Sequence, residues 1–121
     1  MSFRGNLLKA LQSIDGIAAL KRGGTLSVKN PSFEVETDGY EFEGKVLKQR
    51  CVVRLWTGTD DDPLAEAMFE RFAEQLLSTL FEHELTRDCM SLVSGFDRLP
   101  PANPQGYKTE FVAGQITVRE A

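Results

Sequence analysis

The chain has 121 residues, with 41% hydrophobic and 26% charged residues, the balance of one ordinary folded domain. Fourteen Lys and Arg against eighteen Asp and Glu leave a formal charge of −4, which argues against wrapping duplex DNA, a task done with clustered cations. No apolar run approaches the ~18–20 residues of a membrane-spanning helix, and the start Met1-Ser2-Phe3-Arg4-Gly5-Asn6 lacks the apolar segment of a secretory signal, so a single domain over 1–121 in a reducing cytoplasm is expected.

Leu7, Leu8, Leu11 and Ile14 recur at helical spacing and predict a first helix over 3–14, stopped by Asp15-Gly16. Ile17, Ala18 and Leu20 form a packed connector, and Lys21-Arg22-Gly23-Gly24 reads as an exposed turn. A short strand is expected over Thr25–Val28, before Asn30-Pro31. Phe33, Val35 and Thr37 then alternate with Glu34, Glu36 and Asp38, the period of a half-buried strand. Asp38-Gly39 is a tight-turn signal, Tyr40 and Phe42 continue beyond it, and Gly44 marks a second turn or a bulge. The longest strand is predicted over 45–57: Leu47, Cys51, Val53 and Leu55 share one face, and Lys48, Arg50, Val52, Arg54 and Trp56 share the other.

Asp60-Asp61-Asp62-Pro63 is a helix start, with Asp62 as N-cap and Pro63 at the first helical position. The helix is predicted over 63–82, about 30 Å long, with Leu64, Met68, Phe72, Leu76 and Leu80 as its apolar stripe and Glu66, Glu70, Glu74 and Ser78 as its wet face. Two strands close the chain, over 89–96 and 107–119. The apolar parity of the second changes between Ala113 and Ile116, so Gly114 is expected to be a bulge. The segment between them, with Leu99, Pro100, Pro101 and Pro104, reads as a stiff, protruding loop.

Chemistry is sparse. His83 is the one histidine and reads as an exposed helix-end residue, with no nucleophile arranged around it. Three adjacent aspartates lack the alternation and the glycine of a calcium loop, and capping explains them. Gly23-Gly24 lacks the Lys-Ser/Thr of a phosphate loop. Cys51 and Cys89 read as small core residues rather than a bridge. No catalytic residue, metal or cofactor is therefore expected. The acids Glu34, Glu36, Asp38, Glu41 and Glu43 form a solvated face or a dock for cations. Lys48, Arg50 and Arg54 form either a nucleic-acid stripe or, the favoured reading, ion pairs with those acids across strands.

The order of elements resembles the small tail-terminator and tail-completion proteins of lambda-type long-tailed phages. The resemblance is carried by the opening helix Asn6 to Ile14 running into Asp15-Gly16-Ile17. It is carried also by Gln49 to Trp56 followed by Asp60-Asp61-Asp62 and the helix with Leu76-Leu77, and by the closing strand Tyr107 to Arg119. The Pro-rich loop over 99–106 departs from the family's pattern. The resemblance implies an α+β fold, a mostly antiparallel sheet packed by two main helices. It implies a homo-hexameric ring that caps the tail tube, ends its polymerisation and joins it to the head. The implied partners are further copies of the chain, the tail tube and head-completion proteins, with DNA passing transiently through the lumen and no membrane. The setting is the virion, and the host cytoplasm during assembly.

For such a ring the residues expected at the subunit interface are Glu34, Glu36, Tyr40, Phe42, Arg50, Arg54 and Trp56, acids of one copy meeting arginines of the next around aromatic anchors. Two alternatives stand beside it: another phage or secretion-system structural subunit (a head–tail connector or baseplate component), and an unrelated small α+β binding module or enzyme.

Overall fold

In the computed structural model, residues 2–20, 31–99 and 111–121 are described. The first helix, α1, spans Phe3–Leu11. Ser2 starts it: its hydroxyl accepts a hydrogen bond from the Gly5 N–H at 3.0 Å, one of the donors that a helix N-terminus leaves without an intrahelical partner. The helix ends three residues short of Ile14. Ser13 and Ile14 donate to Ala10 and Leu11 in tight i→i−3 bonds, and the Ser13 hydroxyl also donates to the Ala10 carbonyl. Gly16 follows at φ +82°, a backbone state that suits glycine.

The two-residue strand β1 (Ala18–Ala19) pairs in parallel with the start of β2 (Ser32–Glu43). The expected strand over 25–28 lies outside the described residues. β2 pairs antiparallel with β3 (Val46–Thr59), which pairs antiparallel with the last strand. Asp38-Gly39 is not a turn. The pairing jumps there from Thr37–Cys51 to Gly39–Arg50, so Asp38 is one extra residue and the strand runs on through a bulge. The reversal comes later, at Gly44, with φ +63°.

The second helix, α2, spans Ala65–Glu82. Asp62 acts just before it: its carboxylate accepts from the Leu64 N–H at 2.9 Å and its carbonyl from the Ala65 N–H at 3.1 Å, so Pro63 and Leu64 form the entry turn. The buried Thr57 hydroxyl donates to the Ala65 carbonyl and ties the end of β3 to the helix start. At the far end the buried Thr86 hydroxyl donates to the Leu80 carbonyl, one of the acceptors a helix end leaves open.

Three strands complete the sheet: β4 (Met90–Leu92), β5 (Asp97–Arg98) and β6 (Phe111–Glu120). The strand order is β1-β2-β3-β6-β4, with β5 also on β6; every pairing but β1–β2 is antiparallel. The described residues thus form an α+β fold, a mostly antiparallel six-stranded sheet with two helices. The strand expected over 89–96 shortens to β4, and Asp97 and Arg98, read as loop, form β5 instead.

Phe33, Val35, Cys51, Val53, Leu55, Val112, Ile116 and Val118 meet Leu7, Leu11, Phe69, Phe72, Leu76 and Leu80 of the helices in one core. A smaller cluster, Trp56, Phe111 and Ala113, lies apart from it, flanked by Leu20 and Leu99. These two clusters explain the parity change in the last strand. Pairing runs without a break from Arg119 through Gly114 to Ala113, so Gly114 is not a bulge. Phe111 and Ala113 belong to the small cluster, while Val112, Ile116 and Val118 belong to the main core. Gly114 is small because Phe69 lies on it: a Cβ there would sit 2.2 Å from the ring. The irregularity in this pair of strands falls between Trp56 and Thr59, where Gly58 has φ +140°.

Candidate functional site

The interface residues expected from sequence lie on β2 and β3, and the structure divides them into three groups. The first is charged and occupies the sheet face opposite the main core. Arg54 lies directly across from Glu34 and donates to it at 2.9 Å, reaches Glu36 on the diagonal, and donates to Gln115 at 3.3 Å. Burial opposes the charge on Arg54, but the hydrogen bonds and proximity of Glu36 and Glu34 outweigh it and raise its pKa. Arg50 pairs with Asp38 at 3.0 Å and Arg119 with Glu41 at 3.3 Å, while the Lys48 ammonium donates to the Ala121 main-chain oxygen at 2.6 Å. The cross-strand ion pairs expected of Arg50 and Arg54 are present within the chain, whereas Lys48 reaches the Ala121 main-chain oxygen. Within one chain Arg54 already holds both Glu34 and Glu36, the acids expected to meet arginines of a neighbouring copy.

Trp56 forms the second group alone. It is 6% exposed, packed with Phe111 and Ala113, and belongs to the subunit's interior rather than its surface. Leu99, assigned to the protruding loop, is half-buried against the same cluster and its N–H donates to the Ala113 carbonyl at 2.9 Å. Pro100, Pro101 and Pro104 lie outside the described residues.

Tyr40 and Phe42 form the third group, and they are exposed at 59% and 76%. The bulge puts them where they are. Phe33 and Val35 point into the core from odd positions; the extra residue Asp38 shifts the alternation, so the even residues Tyr40 and Phe42 continue that same face. A Cβ at Gly39 would lie 2.9 Å from the end of the Arg50 guanidinium that bridges back to Asp38, so a larger residue would push that side chain aside. Tyr40 stands opposite Gln49 and Phe42 opposite Leu47. β6 begins to pair with β3 only at Arg50, so residues 40–49 form a two-stranded arm beyond the rest of the sheet. Its core-side face carries Tyr40, Phe42, Leu47 and Gln49, none charged. Leu47 carried the parity that placed it on this face, but sequence alone did not show that the helices end before reaching it.

The remaining candidates have local roles. His83 is half-buried at the end of α2, and its Nδ1 accepts from the Leu85 N–H at 3.1 Å, so the ring acts as a capping acceptor. Cys51 is fully buried, and burial pushes its thiol up to about 11. Cys89 is half-buried, its Sγ donating to the Leu85 carbonyl at 3.0 Å; burial, with Glu120 and Asp88 nearby, raises its pKa. Both cysteines are free thiols. Among the described residues, no group of acids, histidines and cysteines has the clustering a metal ion needs, and no helix is long and apolar enough to cross a membrane. No protein-family model matches the chain, and no curated protein is significantly similar to it in sequence.

Proposed function

We propose that this chain is a structural subunit of phage-tail assembly, a protein that forms a homo-oligomeric ring, terminates the tail tube and joins it to the head. The observation that carries the reading is the arm: a well-packed domain that extends a hairpin past its own sheet and leaves Tyr40 and Phe42 in water. Large aromatics held on a rigid strand pair are the residue types that anchor protein interfaces. The order helix, hairpin, long strand, acidic turn, long helix and closing strands supports the same reading through its resemblance to tail terminators. The partners are other copies of the chain, the tube protein and head-completion proteins, in the virion and in the host cytoplasm during assembly. DNA passes through the lumen only transiently. The matched charges on β2, β3 and β6 fit a surface that lets a polyanion pass without holding it, since retention needs unpaired cations.

The test is direct. The purified protein is added to polymerising tail-tube protein encoded in the same genome, and tube lengths are measured by negative-stain electron microscopy. The expected outcome is short tubes, each capped at one end by a ring with an axial channel. Tubes of unchanged length with no cap overturn the reading.

A further inference from the structure

Asp-Gly occurs twice in the chain, at Asp15-Gly16 and at Asp38-Gly39, and the fold treats the two pairs differently. The dipeptide matters chemically because the main-chain nitrogen after an aspartate can attack that aspartate's side chain, and glycine, with no Cβ, leaves the approach open. Asp15 and Gly16 are both exposed, in a turn beyond α1 and outside any helix or strand. The tight bonds that close α1 stop at Ile14, whose N–H donates to the Leu11 carbonyl. Among the described residues the Gly16 N–H has no hydrogen-bond partner and the Asp15 carboxylate has neither a hydrogen bond nor an ion pair. Asp38-Gly39 is the same dipeptide held inside β2. The Asp38 carboxylate accepts from the Arg50 Nε at 3.0 Å, and Gly39 stands directly opposite Arg50 in the pairing of β2 with β3. Turning the Asp38 side chain onto the Gly39 nitrogen would break that ion pair and twist the strand out of its register.

We infer that Asp15-Gly16 is a site of spontaneous main-chain modification, the aspartate becoming isoaspartate, and that the folded strand pair shields Asp38-Gly39 from the same reaction. The Gly16 nitrogen bonds to the side-chain carbonyl carbon of Asp15 as the bond from that carbon to the carboxyl hydroxyl breaks. The oxygen leaves as water, taking the carboxyl proton and the amide proton, and a five-membered succinimide remains. Bulk water then adds to the main-chain carbonyl carbon of the ring, and the bond from that carbon to the Gly16 nitrogen breaks as the nitrogen regains a proton. One water leaves and one enters, nothing is oxidised or reduced, and the mass is unchanged. The chain now runs through the former side chain of Asp15 and is longer by one methylene. That added atom falls where there is little room for it. A Cβ on Gly16 would already lie 3.5 Å from the Phe72 ring, and the next residue, Ile17, is buried in the main core. At Asp38 the reaction waits on local opening of the strand pair, which folding makes rare. The site is independent of the function proposed above.

The test ages the folded protein at neutral pH and physiological temperature, with a parallel sample unfolded in urea. Trypsin separates the two sites, since Asp15 falls in the peptide 10–21 and Asp38 in the peptide 30–45. Isoaspartate in each peptide is read by electron-transfer fragmentation and, independently, by methylation with an isoaspartyl methyltransferase. In the folded protein it is expected to accumulate about tenfold faster at Asp15 than at Asp38, the factor that about 1.4 kcal/mol of broken pairing supplies. In urea the two rates are expected to converge. Asp15→Glu, an exposed change whose longer side chain would have to close a six-membered ring, is expected to melt with the parent and to abolish methylation of the 10–21 peptide. Isoaspartate that forms no faster at Asp15 than at Asp38 in the folded protein overturns the inference. So does an Asp38 that stays slow in urea, because the strand pair would then not be what protects it.

Discussion

Phe33 and Phe42 lie on the same strand and the same sheet face, yet one is fully buried and the other 76% exposed. Phe33 stands opposite Leu55 beneath the helices, whereas Phe42 stands opposite Leu47 on the arm, beyond the last pairing of β6 with β3. The side chains are identical and the local alternation is equivalent once the bulge at Asp38 is counted. What differs is the layer above them. Burial of a strand residue is decided by whether a helix reaches it: α1 meets the arm only at its base, where the Arg4 N–H donates to the Gln49 side chain at 3.2 Å, and Phe42 and Leu47 lie exposed beyond it.

Removing the buried partner should break that contrast most strongly. Phe33→Ala is expected to cost about 3–5 kcal/mol in urea denaturation, because it empties a core site closed on all sides. Overfilling the same layer comes next. Gly114→Ala is expected to cost about 1–3 kcal/mol, since its Cβ meets the Phe69 ring and the Asp97 carbonyl at once. A loss no larger than that of an exposed alanine would show that Phe69 yields.

Cys51 sharpens the contrast through pH. Its folded pKa, pushed up to about 11 from 9.0, lies above that of the unfolded chain. Between those values the unfolded state sheds the proton first, so stability is intact below about pH 8.5 and declines from pH 9 toward 11. Melting curves across pH 8–11 should lose that part of their slope in Cys51→Ala. An identical slope in both proteins would place the titration elsewhere.

The charged face should give a smaller effect. Glu34→Lys with Glu36→Lys places two cations against Arg54 and is expected to lower stability by about 1 kcal/mol, the scale of partly exposed pairs. Adding Arg54→Glu should return most of it within the monomer. Restoration of oligomer size with no change in melting would instead place the pairing between copies. Smallest of all, Phe42→Ala should change the monomer's stability by less than about 0.5 kcal/mol, measured where no oligomer forms. A loss near that of Phe33→Ala would mean that the arm is covered within its own subunit.

The elements themselves were readable because each rests on a local period. Leu76 and Leu80 mark α2, and Val53 and Leu55 mark β3, at spacings that bury one face whatever lies opposite. The end of α2 at Glu82 and the cation–acid pairing between β2 and β3 followed from the same logic. The bulge at Asp38 was not legible, because Asp-Gly suits a tight turn and a bulge alike, and only the pairing of Gly39 with Arg50 separates them. Gly114 misled for a related reason: a change in apolar parity looks the same whether a strand flips or both its faces are covered, and the Phe69 ring decides between them. Trp56 and Phe42, both aromatic and both near turns, are alike to any local rule. Sequence period determines which face of an element is apolar. Where the covering layer begins and stops is a property of contacts distant in the chain, and those contacts placed Trp56 in the interior and left the arm outside.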